Sequence, residues 1–174
     1  MAGHKHDDMM EVFLQPGEHF VGDEYYRLRT ILGSCVSITL WNRARRIGAM
    51  CHFLLSQRAS GQAPALDGRY ADEALSLMLD ELQRQGVKAA DCRAKIFGGG
   101  DMFPDLRAGA GASVGRRNGE FAQQLLRDHG VPIVASSLFG VGHRRILFDI
   151  ATGNVWCRQV HPREVGAAAL EEIP

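Results

Sequence analysis

Apolar and polar residues alternate with a period of two along much of the chain, and the spacing turns helical in only two stretches. Tyr26–Leu32, Val36–Trp41 and Ile47–Leu55 read as strands, the last two joined around Asn42-Arg43-Ala44-Arg45. Ser56 to Asp67 is a polar loop containing Gly, Pro and Ala. In Tyr70 to Gln85 the residues Ala71, Ala74, Leu75, Met78 and Leu82 follow helical spacing, and Gly86 stands at the stop. A short strand, Ala94–Phe97, runs into Gly98-Gly99-Gly100. Val114 to His129 predicts a second helix, with a stripe of Phe121, Ala122, Leu125 and Leu126 and Gly130 as its stop. Val131–Ser136 is a further strand, and Arg145–Ile150 with Val155–Gln159 makes a closing hairpin. The pattern predicts an α+β fold in one domain: mixed and antiparallel sheet layers of about seven or more strands, flanked by two main helices. Residues 1–11 read as a flexible N-terminal tail, 12–160 as the domain and 161–174 as a C-terminal tail.

Composition narrows the function. The 174 residues carry 20 Lys+Arg against 20 Asp+Glu, a balance that argues against a protein built to hold nucleic acid. No apolar run approaches the ~20 residues of a membrane span, and the polar start lacks the apolar core of a signal peptide. These features predict a cytoplasmic protein without membrane insertion. In that compartment Cys35, Cys51, Cys92 and Cys157, which form no C-x-x-C pair, are expected to be free thiols.

The stretch from Thr30 to Leu55 separates one cysteine from the rest. With a four-residue turn at 42–45, Trp41 faces Arg46 and Cys35 lies directly across from His52. Opposed Cβ atoms sit ~4.5–5.5 Å apart, within reach of a thiol–imidazole hydrogen bond. One face collects Val36, Ile38, Leu40, Ile47, Ala49, Cys51, Phe53 and Leu55; the other is mixed and carries both Cys35 and His52. Cys51 thus points into the core, and the Cys35–His52 pair lies on the non-core face. A thiol beside an imidazole can ionise to a reactive thiolate. Gly33-Ser34 permits a bend that turns backbone N–H groups toward a developing oxyanion. The pattern alone fits equally well a half-exposed cysteine and a histidine that merely cover a sheet.

Several separated motifs resemble the CheD family of chemoreceptor glutamine deamidases. They are Arg29-Thr-Ile-Leu-Gly-Ser-Cys-Val-Ser-Ile-Thr-Leu-Trp, Arg46-Ile-Gly-Ala-Met-Cys-His-Phe-Leu-Leu, Arg69-Tyr-Ala-Asp-Glu-Ala, Lys95-Ile-Phe-Gly-Gly-Gly-Asp-Met-Phe, Val114-Gly-Arg-Arg-Asn and Phe148-Asp-Ile-Ala-Thr-Gly-Asn-Val, in family order over about residues 12–160. The resemblance implies an enzyme that converts glutamines on the cytoplasmic helices of methyl-accepting chemotaxis receptors to glutamate, releasing ammonia. It implies Cys35 as nucleophile, His52 as base and Thr30 as the third catalytic residue. Thr30 has opposite parity to Cys35 and shares its face only if the chain bulges near Gly33. Thiolate attack would give a thioester that water hydrolyses, with no metal and no organic cofactor. Ser34, Gly98 and Gly99 are the candidates for substrate contact. CheD proteins also bind a CheC-type phosphatase, so a non-catalytic adaptation module that docks on that phosphatase or on receptors is the alternative. The Cys35/His52 pair favours the enzyme.

Other signals carry less. Gly98-Gly99-Gly100 has no Gly-Lys-Ser/Thr and no helix directly after it, which sets nucleotide binding aside. His4 and His6 fall in a polar tail, and adjacent Cys51 and His52 point to opposite faces, against a shared zinc. Arg43-Ala-Arg45-Arg46, Arg116-Arg117 and Arg144-Arg145 read as solvated surface, or as a match for acidic receptor helices.

Overall fold

Alternation in the first half of the chain produces strands that cross between two sheets. In the computed structural model, residues 9–59, 65–106, 111–162 and 170–174 are described. The strands are β1 (Met10–Phe13), β2 (His19–Gly22), β3 (Tyr26–Leu32), β4 (Val36–Asn42), β5 (Ile47–Cys51), β6 (Arg93–Gly98), β7 (Ile133–Leu138), β8 (His143–Asp149), β9 (Val155–Val160) and β10 (Glu171–Ile173). The helices are α1 (Ala71–Arg84) and α2 (Val114–Asp128). An outer sheet has the order β1-β3-β8-β9-β10 and a central sheet β2-β5-β4-β6-β7. Both helices pack on the central sheet, which is therefore covered on its other face by the outer sheet. The α+β layers are as the pattern predicts. No helix among the described residues is long and apolar enough to cross a membrane.

Each helix buries the stripe its spacing announces. Ala71, Ala74, Leu75, Met78 and Leu82 of α1 pack with Ile38, Leu40, Ala49, Cys51 and Phe53 of the central sheet. Along α2 the stripe changes character: Ala122 and Leu126 are buried toward its C-terminus, but Gly115, Asn118 and Gly119 occupy the same face nearer its start. The Ser113 hydroxyl caps that start by accepting the Arg116 N–H at 3.0 Å.

Four expectations are corrected. First, the β4–β5 turn is Arg43–Arg46, so Asn42 faces Ile47 and Trp41 faces Gly48. The Asn42 side chain accepts the Arg45 N–H at 2.9 Å and Arg46 takes a left-handed φ of 49°, which closes the turn one residue later. Opposed residues keep their parity, so the face assignment survives, but Cys35 does not face His52. The Val36–Phe53 bridge sets Cys35 opposite Leu54 and His52 opposite Ser37. Cys35 and His52 are diagonal neighbours. Second, their face is not a non-core face. It packs on the outer sheet, and His52 is only 3% exposed. Third, β5 ends at Cys51, with only isolated bridges beyond, and β7 starts at Ile133, after Pro132, which has no N–H to give a ladder. Fourth, Met10 and Glu11, and Glu171–Ile173, are strand residues where tails were expected. The Lys95 ammonium donates to the Ile173 carbonyl at 3.0 Å. His4 and His6, with the rest of residues 1–8 and residues 163–169 of the expected tails, lie outside the described residues.

Candidate active site

The chain leaves the outer sheet at Leu32 and enters the central sheet at Val36. Gly33, Ser34 and Cys35 form the corner, and all three of their carbonyls are tied down. Gly33 O accepts the Gly100 N–H at 2.9 Å, and Cys35 O accepts the Gly99 N–H at 2.8 Å. Ser34 O accepts from Asn118 Nδ2 at 3.2 Å. Gly98 is pressed against this corner at φ 113°, where a Cβ would overlap the Cys35 carbonyl oxygen. Gly99, at φ 64°, carries its own carbonyl toward Gly115 of α2. Among the described residues the Cys35 N–H makes no backbone–backbone bond and lies toward its own thiol. That amide is a ready donor for an oxyanion formed at Cys35.

His52 is fixed from both sides of its backbone. Its N–H donates to Glu18 O at 3.0 Å and its carbonyl accepts the Gly17 N–H at 2.7 Å. Thr30 reaches it from the other sheet, so the question of a bulge that would bring Thr30 onto the Cys35 face does not arise: β3 and β4 face each other across the sandwich. The Thr30 hydroxyl donates to Leu14 O at 2.8 Å, and its oxygen lies 2.8 Å from His52 Nδ1. A hydroxyl has one proton, and the Leu14 carbonyl can only accept. His52 Nδ1 therefore carries the hydrogen and donates to Thr30, which leaves Nε2 as a bare acceptor. Nε2 is buried and has no partner among the described residues. Ser37 Oγ, on the residue facing His52, is the other such atom.

Burial sets the charge states. It pushes His52 down to about 4, which its contact with the Leu14 carbonyl only partly offsets. Burial also raises the Cys35 thiol. The resting pair is therefore neutral thiol and neutral imidazole, not the standing ion pair that sequence reasoning allows. The other thiols are further from reactivity. Cys51, buried and donating to Ile38 O, is pushed up to about 12, and Cys92 to about 11. Cys35 alone is half-exposed; Cys51, Cys92 and Cys157 are buried.

Beside the corner opens a cavity of about 660 Å³, lined by Ser34, Met102, Phe103, Leu106, Val114 and Arg117 among others. Phe103 is 68% exposed and Leu106 81%, so its walls are apolar and open. Of the candidates for substrate contact, Ser34 lines this cavity. Gly98 and Gly99 do not; they are buried behind Cys35, and the third glycine, Gly100, reaches the cavity in their place. Sequence reasoning missed Leu14, whose carbonyl orients Thr30, because a backbone role leaves no mark on residue type. It also missed the side-chain role of Asn118, whose signal is a polar residue interrupting the apolar face of α2.

A family model described as CheD chemotactic sensory transduction matches residues 54–159. A probable chemoreceptor glutamine deamidase CheD 2 from Albidiferax ferrireducens is 61% identical over 88% of this chain and 89% of its own length. The corresponding probable deamidase of Pseudomonas fluorescens is 46% identical over 85% of this chain and 84% of its own. One from Chromobacterium violaceum is 40% identical, with 94% and 82% covered.

Proposed function

The chain belongs to the CheD family, and from that premise we propose that it is a protein-glutamine glutaminase that deamidates chemoreceptors: it hydrolyses glutamine side chains to glutamate and releases ammonia. The observation that carries this reading is the Thr30–His52 hydrogen bond, which leaves Nε2 bare on the face it shares with Cys35. The substrate side chain enters through the apolar cavity and brings its carbonyl carbon to Cys35 Sγ. His52 Nε2 takes the thiol proton as sulfur bonds to carbon. The carbonyl oxygen becomes an oxyanion, which the Cys35 N–H stabilises. His52 then hands the same proton to the amide nitrogen, the C–N bond breaks, and ammonia leaves a thioester on Cys35. Water, deprotonated by His52, attacks the thioester; the C–S bond breaks, glutamate forms and the proton returns to sulfur. Thr30 keeps one tautomer of His52 throughout, because the imidazolium can still donate from Nδ1.

Neutral resting groups suit this cycle. A buried imidazole with a low pKa is a weak base toward solvent, and it gains its proton only when the thiol loses one to bond formation. The active unit is residues 12–160, and it acts in the cytoplasm on the helical part of the receptors. A glutamine side chain reaches only a few ångströms from its helix, which matches an open cavity better than a deep one. Flanking contacts in that cavity position the amide. Tandem mass spectrometry of a receptor cytoplasmic fragment tests the reading: glutamines should gain about 1 Da with the protein present, the difference amide hydrolysis makes. Free glutamine should turn over with a far lower kcat/KM. Comparable kcat/KM for the two would make the protein a small-molecule amidase.

A further inference from the structure

The β4–β5 ladder ends at the Thr39–Met50 pair, and an isolated bridge, Val36–Phe53, follows one residue short of the nucleophile. Val36 and Phe53 exchange both backbone bonds, at 3.1 and 3.0 Å. Beyond them the strands part, and the carbonyls of Ser34 and Leu54 have no strand partner. A single side chain from α2 serves both. Asn118 Nδ2 donates one hydrogen to Ser34 O at 3.2 Å and the other to Leu54 O at 2.7 Å, while Asn118 Oδ1 accepts from Ser56 Oγ at 3.3 Å. Asn118 is 1% exposed, and its three bonds reach partners that are themselves partly buried.

We propose that Asn118 is a positioning residue for the deamidation assigned above: it splints the corner that carries Cys35 to the chain that has just placed His52. The inference rests on that functional reading. Three features require it. Ser34 immediately precedes Cys35, and Leu54 lies two residues after His52, so the bridge spans the two catalytic segments directly. Cys35 and His52 stand on a diagonal, where ~7–8 Å typically separates neighbours, so the thiol's approach depends on how far the strands are splayed. And Cys35 is half-exposed where the pairing ends, beside the cavity that Ser34 lines. The face of α2 turns from apolar to Gly115, Asn118 and Gly119 where it meets this corner. The glycines permit close approach, and the asparagine supplies the only pair of donors that α2 turns toward both carbonyls.

Asn118→Asp tests this without changing the side chain's size, because its oxygens would face two carbonyls that need donors. The expected result has three parts. Turnover of a receptor fragment falls ~10–100-fold in kcat, the range typical when a group that orients a catalytic residue is lost, with KM changed less than about threefold. Alkylation of Cys35 by iodoacetamide loses the part of its pH profile that depends on His52, so that the Asn118→Asp and His52→Leu profiles coincide. Circular dichroism remains that of the folded protein. Ser56→Ala leaves Asn118 in place and frees its carboxamide to turn. It should shift the same profile in the same direction, by a smaller amount. The profile requires no substrate, so it decides the role of Asn118 even if receptor turnover fails for the wild type. If Asn118→Asp does not fold, the Ser56→Ala profile decides. A folded Asn118→Asp protein with wild-type kcat and an unchanged Cys35 profile would overturn the proposal, as would an unchanged profile in Ser56→Ala.

Discussion

Against the helices the central sheet presents Ile38, Leu40, Ala49, Cys51 and Phe53; against the outer sheet it presents Ser37, Thr39, His52 and Lys95 alongside Met50 and Phe97. Both layers exclude water almost completely. The first does so with groups that need only neighbours of suitable shape, and its stability is spread over many interchangeable contacts. The second buries polar atoms, each of which costs free energy unless a specific partner meets it. Most are met. Lys95 donates to Gly153 O and Ile173 O, Arg144 to Gly98 O and Phe139 O, and Thr30 to Leu14 O. Two among the described residues are not, His52 Nε2 and Ser37 Oγ, which belong to residues opposite each other in register, close along the strands to Cys35. Stability and chemistry are thus divided between the two faces of one sheet.

The division can be broken most sharply at His52. Replacing it with Leu keeps the volume near constant and should abolish receptor deamidation, a loss of at least ~10³-fold, because it removes the base assigned to the thiol proton. Steady-state kinetics on the receptor fragment, with folding checked by circular dichroism, measures this. On the other face, Leu75→Ala opens a cavity in the helix-facing core and should cost ~2–5 kcal/mol in urea unfolding. The kcat of the folded fraction should stay at the wild-type value. A stable but inactive Leu75→Ala protein would mean that the two faces are not independent.

Acid sharpens the comparison. Burial holds His52 at about 4 in the folded state, below its usual 6.5. Between those values the unfolded chain binds a proton that the folded chain refuses. The stability tied to neutral His52 is therefore complete above pH 6.5 and is lost as pH falls toward 4, by about 3 kcal/mol in all. Urea unfolding at pH 7 and pH 4.5 should show a drop that His52→Leu reduces by about that amount. An equal drop in both proteins would remove the buried, neutral histidine. The smallest effect belongs to the second cysteine of the hairpin. Cys51→Ala should change stability by ~1 kcal/mol and activity not at all, and Cys51 should alkylate far more slowly than Cys35.

How much of this could be read beforehand follows the same division. The helix-facing layer is legible because it is periodic: the apolar alternation of β4 and the stripes of both helices lie where the spacing puts them. The parity of Cys35, Cys51 and His52 was legible for the same reason. The second layer was not. A mixed face looks solvated in sequence, and only the outer sheet, assembled from strands over a hundred residues apart such as β3 and β8, reveals that it is buried. Alternation cannot align Thr30 with Cys35, because parity has no meaning between two sheets. Short strands of three or four residues, β1, β2 and β10, hold too few positions to display a period. The turn was misplaced by one residue because Asn42 and Arg46 close it with a side-chain bond and a left-handed φ, neither of which alternation encodes.

The central claim is that Cys35 forms a covalent bond to the receptor during turnover. Acid-quenching the protein with a receptor fragment at steady state and measuring intact masses tests it directly. The expected product is a conjugate of the two chains, about 17 Da lighter than their sum because ammonia has left, attached at Cys35 and released by hydroxylamine. Cys35→Ala should give neither conjugate nor glutamate. Deamidation by Cys35→Ala at the wild-type rate would exclude Cys35 as the nucleophile.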